Sequence, residues 1–286
     1  MPTATLENDV ELSFDHVGDP DDELIVLVSG AGAPAAFWPV DFCERLARAG
    51  FFVVRYSHRD TGESTHFDAP YDIHALLTDL RLFLDRFAHR GAHLVGHSMG
   101  GYLAQLAICE FPERLWTATS IAAGSAVTPA LHARLGTSVP DPSVWVRLTK
   151  NRPTGRFDHD LPGWLETWAF LNGDRPFDRE KATDYTRSLY AGDPRNAQVA
   201  TNHVHAMQTV PETLVDRLPG SRVPLLVLHG RRDPLVPIDN GEATARLAGA
   251  GAFRALDGAG HMFFDRDVWE EITSSLLMHF EKSRDC

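Results

Sequence analysis

The sequence predicts an α/β fold, in which a mostly parallel, eight-stranded sheet carries helices on both faces and a helical cap insertion. Short β-branched or apolar runs alternate with longer segments of helical periodicity, which is typical of parallel sheets covered by helices. Seven runs have the length of strands, and an eighth strand is expected near the N-terminus. The seven runs are residues 10–14, 23–30, 51–58, 92–98, 115–124, 223–230 and 252–258.

The helices that pack on this sheet are predicted from apolar residues spaced three or four apart. Residues 73–88 place Ile73, Leu77 and Leu80 on one stripe, which is typical of a helix buried on one side. Residues 268–282 repeat the pattern at the end of the chain. Both segments are expected to be packing helices.

One long segment, residues 125–219, lacks strand signals and instead holds amphipathic pieces broken by proline and glycine. An insertion after a strand of an open α/β sheet lies at the carboxyl edge of the strands, where ligands bind in such folds. We therefore predict an α/β core formed by residues 1–124 and 220–286, with residues 125–219 as a helical cap over it.

Composition excludes several function classes. The formal net charge is −12, so nucleic acid is not an expected partner. The first residues do not resemble a signal peptide, and no run approaches the roughly 20 apolar residues of a membrane span. A cytoplasmic protein without a membrane partner is expected. The three cysteines, Cys43, Cys109 and Cys286, are too scattered for a metal knuckle and are expected to be free thiols.

The most informative motif is LVGHSMGGY, residues 94–102, in which glycines surround Ser98 directly after an apolar run. G-x-S-x-G between a strand and a helix forms a tight turn that exposes the serine hydroxyl, and Gly96 and Gly100 stand where a side chain would clash. The alternative is a serine that only caps the following helix. The strand before it and the helical pattern after it favour a nucleophile.

A serine nucleophile needs a base, and the base needs an orienting carboxylate. In this architecture the chain order is serine, acid, histidine. Asp233 follows the strand at 223–230, and His261 follows the next strand after a glycine-rich turn. Both therefore lie at the same sheet edge as the serine. The competing acids Asp239 and Asp257 stand at a helix start and in a turn, where capping explains them.

Other histidines compete with His261. His97 precedes the serine and cannot fold back onto its hydroxyl, and His229 lies at a strand end, so both are expected to make structural hydrogen bonds. His203 and His205 have the spacing of a metal pair, but no H-E-x-x-H motif supplies further ligands. No metal and no cofactor are expected.

A serine hydrolase also needs two backbone N–H groups for the oxyanion, one after the nucleophile and one from the loop after the third strand. The first is predicted to be Met99. The loop reads SGAGAPAAFWP, residues 29–39, and by position Ala31 supplies the second. The alternative is that Gly30 and Gly32 only form a turn.

Together these residues resemble the α/β-hydrolase superfamily over nearly the whole chain. More narrowly, RYSHRDTGEST, the loop at 29–39, GHSMGG and LHGRRDPLVP resemble the aclacinomycin methylesterase group of bacterial polyketide-tailoring esterases. The resemblance implies cofactor-free hydrolysis of a carboxylic ester, in that group a methyl ester on a polycyclic aromatic substrate. It implies the triad and oxyanion residues already named, and it suggests that Asp60 and Gly62 brace the site.

The substrate, a small-molecule ester, is expected to meet a mostly apolar pocket. For each side chain predicted to line this pocket, packing within the cap and core is the alternative explanation. The pocket residues predicted from the cap and core loops are Phe37, Trp38, Trp145, Trp164, Trp168, Phe170, Val236 and Met262.

Other activities on the same residues stay open, because function on a shared fold is decided by the site. A carbon–carbon bond hydrolase, a perhydrolase or a thioesterase uses the same triad. A weakly catalytic ligand-binding protein is the alternative from another class. Epoxide hydrolases and haloalkane dehalogenases are disfavoured because they carry aspartate where Ser98 stands. A monomer or a homodimer is expected.

Overall fold

The computed structural model describes residues 1–87, 90–150, 153–190 and 196–284. Its sheet has eight strands in the order β1-β2-β4-β3-β5-β6-β7-β8. The first two strands are antiparallel to their neighbours, and the other six are parallel to one another. The strands are β1 (Thr3–Thr5), β2 (Glu11–Val17), β3 (Glu23–Val28), β4 (Phe51–Tyr56), β5 (Ala92–His97), β6 (Leu115–Ile121), β7 (Leu225–Gly230) and β8 (Gly251–Leu256).

This sheet confirms the predicted fold class, including the eighth strand at the N-terminus. The central strands are almost continuously apolar because helices cover both of their faces. The helices of the fold are α1 (Val40–Arg48), α2 (Ile73–Phe87), α3 (Met99–Glu110), α4 (Pro129–Leu135), α5 (Pro142–Lys150), α6 (Phe157–Leu171), α7 (Arg179–Leu189), α8 (Asn196–Gln208), α9 (Leu214–Arg217), α10 (Ile238–Leu247) and α11 (Arg266–Arg284).

Two apolar clusters hold these layers together. On one face, Leu80 of α2 and Leu103 of α3 pack against the sheet. On the other face, Phe42 of α1 and Ile272 of α11 do so. Burial of such side chains is the main force that fixes helices to a sheet. The two predicted packing helices, α2 and α11, lie on opposite faces.

The segment between β6 and β7 contains six helices, α4 to α9, and no strand within the part of the chain that the structure describes. Its last turns join the core, since Val210 and Leu214 belong to the cluster around α2 and α3. The division into a core and a cap at residues 125–219 stays a prediction.

Two further sequence predictions concern thiols and membranes. Cys43 and Cys109 are free, and Cys286 lies outside the described residues. Within those residues, none of the helices combines the length and the apolar character needed to cross a bilayer.

Candidate active site

The turn between β5 and α3 holds Ser98 in a conformation that L-residues rarely adopt, with φ of +52° and ψ of −116°. Its glycines make this possible. A Cβ on Gly96 would overlap the carbonyl oxygen of Gly100, and a Cβ on Gly100 would overlap the carbonyl oxygen of Val28. Strained backbone of this kind is concentrated at functional sites. The turn presents the serine hydroxyl at the carboxyl edge of the sheet.

A chain of hydrogen bonds runs from this serine to a carboxylate. Ser98 Oγ lies 3.1 Å from His261 Nε2, and His261 Nδ1 lies 2.8 Å from Asp233 Oδ2. The other carboxylate oxygen, Oδ1, accepts the N–H groups of Leu235 and Val236, each at 2.8 Å. The structure therefore brings together the three side chains that the sequence singled out, although 163 residues separate the serine from the histidine.

The electrostatics of Asp233 favour one tautomer of His261. Burial of this carboxyl raises its pKa, but the adjacent rings of His261 and His229 outweigh burial and hold the pKa well below its ordinary value. The group is therefore an anion that accepts the Nδ1–H of His261. The other ring nitrogen of His261, Nε2, is then free to accept the serine proton.

Two neighbouring histidines hold the backbone of the loops that carry these residues. His97 Nε2 donates to the carbonyl oxygen of His261 at 2.8 Å, and His229 Nε2 lies 2.8 Å from the carbonyl oxygen of Val236. Burial lowers the pKa of His97 to about 3, so its ring stays neutral. Both make the structural hydrogen bonds predicted for them, and the partners are the histidine and acid loops themselves.

The two predicted oxyanion donors lie on backbone segments that flank the serine. Met99 is the first residue of α3, where an N–H has no acceptor within the helix. Ala31 lies between two glycines, and a Cβ on Gly30 would lie 3.2 Å from the Cβ of Ser98. Gly32 adopts φ of +69°, so the loop uses a conformation that favours glycine.

Asp60 and Gly62, which the resemblance suggests as bracing residues, lie in the loop after β4. The carboxylate of Asp60 accepts the N–H of Phe67 at 2.6 Å, the hydroxyl of Tyr71 at 2.7 Å and the amide of Asn202 at 3.0 Å. Gly62 has φ of +56°. The loop is thereby tied to α8 of the insertion, a contact that no local pattern in the sequence indicates.

Phe37 and Met262, two of the predicted pocket residues, line a cavity of about 380 Å³. Phe37 also stacks on His97, with ring centroids 4.3 Å apart. Aromatic side chains from the core and from α7, among them Tyr185 and Trp269, form part of the other walls, and charged side chains form the rest. The cavity therefore lies at the junction of core and insertion, and neither Ser98 nor His261 is among its lining residues.

Two of the predicted pocket residues lie elsewhere. Trp38 has no exposed surface, and its ring packs against Phe42 and Trp269 in the core. It is a core residue rather than a pocket residue, because its neighbours enclose it completely. Trp145 is 50% exposed on α5, because the apolar contact of that helix is made by Val144 instead.

Three cap aromatics in the prediction pack within the insertion. Trp164 and Trp168 stack with centroids 4.9 Å apart, and the indole N–H of Trp168 donates to Thr186 at 2.9 Å. Phe170 is covered by the guanidinium of Arg147 at 4.1 Å. Packing explains these contacts without a ligand.

Val236 contributes to the site through its backbone N–H, which donates to the carboxylate of Asp233. His203 and His205, considered as a metal pair, diverge: the former is buried and the latter exposed. No group of three or more metal-ligating side chains occurs among the residues for which coordinates are described.

The comparison with protein families decides the assignment. The model of the α/β hydrolase fold matches residues 23–268. The chain belongs to the α/β hydrolase fold family. This α/β hydrolase is 33% identical over 298 residues to rhodomycin D methylesterase DauP of Streptomyces sp. strain C5, with 98% of each chain covered. It is equally similar, at 33% identity and 98% coverage of each chain, to rhodomycin D methylesterase DnrP of Streptomyces peucetius.

A solved structure agrees at the level of the fold. The 2-hydroxy-6-oxo-6-phenylhexa-2,4-dienoate hydrolase of Rhodococcus sp. strain RHA1 superposes with a TM-score of 0.77 at 23% identity, and 95% of each chain is covered. The resemblance to polyketide-tailoring methylesterases is confirmed by the Streptomyces relatives. The prediction of a carboxylic ester hydrolase is confirmed with it.

Proposed function

We propose that this α/β hydrolase cleaves a methyl ester on a polycyclic aromatic small molecule, with Ser98 as nucleophile, His261 as base and Asp233 as orienting acid. The observation that carries the proposal is the unbroken chain of hydrogen bonds from the serine Oγ through the imidazole to the carboxylate. The names of the two Streptomyces relatives support the methyl ester.

In the proposed mechanism the Ser98 hydroxyl transfers its proton to Nε2 of His261 as Oγ attacks the ester carbonyl carbon. The N–H groups of Ala31 and Met99 stabilise the oxyanion of the tetrahedral intermediate. The intermediate collapses, the imidazolium protonates the departing methoxide, and methanol leaves. Water then attacks the acyl-enzyme with the same histidine as base, and the products are the free acid and the regenerated serine.

A cavity lined by Met262, the residue after His261, supports a flat, apolar acyl group. Phe37, Tyr185 and Met262 contribute apolar walls, and aromatic rings are favourable partners for flat ring systems. Charged side chains, including Asp41 and Lys181, occur at the same cavity. Polar substituents of a polycyclic substrate are expected next to these charged side chains.

The test uses Ser98→Ala against Ser274→Ala, which changes an exposed serine on α11. Methyl esters, including rhodomycin D, are assayed beside the corresponding thioesters, and labelling by a fluorophosphonate is measured by mass. We expect stoichiometric labelling of the wild type and of Ser274→Ala but none of Ser98→Ala. We also expect kcat/KM to fall at least about 10⁴-fold in Ser98→Ala and to stay unchanged in Ser274→Ala.

Two results would contradict the proposal. Methyl ester cleavage that survives Ser98→Ala would rule out the nucleophile. Small aliphatic methyl esters turned over as fast as polycyclic ones would rule out the proposed substrate class, while leaving the nucleophile intact.

A further inference from the structure

His203 joins the insertion to the loop that carries Ala31. It lies on α8 and has no exposed surface. Its Nδ1 accepts the backbone N–H of Gly32 at 2.8 Å, and its Nε2 lies 3.1 Å from the carbonyl oxygen of Arg59. The bonded residues are 171 positions apart in the sequence. A side chain of the insertion therefore holds the backbone of a core loop at the active site.

The partners of His203 determine its protonation. A backbone N–H can only donate, so Nδ1 carries no proton, and a carbonyl oxygen can only accept, so Nε2 carries one. Both nitrogens of the neutral ring are thereby used. Burial lowers its pKa to about 3, which keeps this arrangement at neutral pH.

A second buried histidine holds the other end of the same loop. His58 Nε2 lies 3.0 Å from the carbonyl oxygen of Ser29 and donates to it. Its ring meets that of His203 edge-on, with centroids 5.9 Å apart. The segment 29–32 is thus held at its first carbonyl by one imidazole and at its last N–H by the other. Ala31 lies between these two points.

Such support matters because of the loop's composition. Gly30 and Gly32 flank Ala31, and glycine permits many backbone conformations. An oxyanion donor, in contrast, is effective only when its N–H is held in the geometry that the transition state requires. The two glycines have no side chain to pack, so the loop depends on hydrogen bonds to its backbone. Within the loop, the N–H of Ala33 donates to the carbonyl oxygen of Gly30 at 3.2 Å, and the two imidazoles hold the loop from outside.

We propose that His203 and His58 are positioning residues that clamp the Gly30–Gly32 loop and thereby aim the Ala31 N–H at the oxyanion. The insertion then contributes to catalytic geometry in addition to any contact with substrate. This inference rests on the proposed function, because it takes Ala31 as an oxyanion donor.

A purely structural role for His203 is separable, because α8 is held independently beside it. Asn202 donates from its side-chain amide to Asp60 and to the carbonyl oxygen of Phe67, both at 3.0 Å. Removing the imidazole of His203 therefore leaves the neighbouring anchor of the helix in place.

The experiment compares His203→Asn with His203→Gln. Asparagine places an acceptor near the position of Nδ1 and retains the bond to Gly32, whereas glutamine reaches the position of Nε2 and loses that bond. His205→Ala on the exposed side of α8 is the control. Rates are measured on an ester and on the matched thionoester, in which sulfur replaces the carbonyl oxygen. Because sulfur is a poor hydrogen-bond acceptor, cleavage of the thionoester depends less on the oxyanion donors. The end point of fluorophosphonate labelling counts active protein.

We expect His203→Gln to lower kcat on the ester about 10- to 100-fold with little change in KM, as for a partly lost oxyanion donor. In His203→Gln the ratio of the ester rate to the thionoester rate should narrow about tenfold. In His203→Asn and His205→Ala both this ratio and kcat should stay within about threefold of the wild-type values. A narrowed ratio in both His203 variants also supports the clamp and shows that both nitrogens are needed.

An unchanged ratio in His203→Gln would overturn the proposal, whether both rates fall equally or neither falls. If that variant does not accumulate as folded protein, His58→Asn, which removes the donor to Ser29, tests the same loop by the same ratio. Failure of the proposed function is a different result, since it is measured on Ser98→Ala.

Discussion

At the scale of single residues, Asp233 can orient the imidazole of His261 because its two carboxylate oxygens have different partners. Its Oδ1 is occupied by two backbone N–H groups, so only Oδ2 is available to His261. The side chain is fully buried, and water cannot compete for this bond. The geometry thus leaves one tautomer of the imidazole, with the bare Nε2 toward Ser98.

Asp233→Asn should therefore reduce activity without removing the shape of the site. An amide keeps one oxygen for the loop N–H groups but presents an N–H₂ to His261, which favours the wrong tautomer. We expect kcat to fall by about 10³- to 10⁴-fold with a folded protein, measured by ester hydrolysis and circular dichroism. Asp257→Asn, an exposed acid paired with Arg231, is the control and should retain full activity. Equal activity in the two variants would exclude Asp233 as the orienting acid.

At the scale of elements, the β5–α3 turn depends on close approach of backbone to backbone. Gly96 faces Gly100, and Gly100 faces the end of β3. The strand, the turn and the helix can be assembled this closely only because neither position carries a Cβ. The position of Ser98 is therefore a property of the whole strand–turn–helix unit.

Gly96→Ala is expected to destabilise the fold. The added Cβ overlaps a carbonyl oxygen that belongs to a helix and cannot move freely, so we expect a loss of about 2 to 4 kcal/mol in the free energy of unfolding. Gly220→Ala is the matched substitution, because its Cβ would meet no atom within 4 Å, and its effect should stay within about 0.5 kcal/mol. Urea unfolding measures both, and similar midpoints would refute the steric argument.

At the scale of the whole molecule, the parallel strands bring loops from four parts of the chain to one edge. The loops after β3, β5, β7 and β8 supply Ala31, Ser98, Asp233 and His261 in turn. Three buried histidines stabilise this convergence by bonding to loop backbone, and burial lowers their pKa values so that their rings are neutral at neutral pH. The assembly is therefore sensitive to acid as a unit.

The sign of this sensitivity follows from the pKa values. The native pKa of His58 is lowered to about 4 and those of His97 and His203 to about 3, in each case chiefly by burial. In the unfolded chain they bind protons below about pH 6.5, so acid favours unfolding. The stabilisation that the neutral histidines contribute is fully present above that pH. It is lost as the pH falls toward their native pKa values, and the free energy of unfolding then decreases by up to about 1.4 kcal/mol per pH unit for each group.

We expect the free energy of unfolding to decline steeply between pH 6 and 5, as measured by urea titration at several pH values. His203→Asn should make this decline shallower by up to about 1.4 kcal/mol per pH unit, because one such group is gone. A slope that does not change in this variant would show that His203 is protonated in the native protein. Asp233 adds a separate loss at lower pH, since its pKa is depressed in the native state.

Much of the fold and of the candidate site could be predicted from the sequence, because the signals are local. Alternating apolar runs and helical stripes predict the strands and packing helices, and G-x-S-x-G predicts the turn at Ser98. Asp233 and His261 follow from chain order, since the carboxyl ends of parallel strands meet at one edge. Each of these inferences needs only a few neighbouring residues or a rule of topology.

Tertiary structure alone decided which distant side chains meet. Apolar character indicates that Trp38 and Trp145 are large and hydrophobic, but not that the first is enclosed in the core and the second half exposed. In the same way, nothing near His203 indicates that its imidazole bonds to Gly32. Periodicity reports the burial of a face and not its partner, because partners are chosen when separately formed elements pack together.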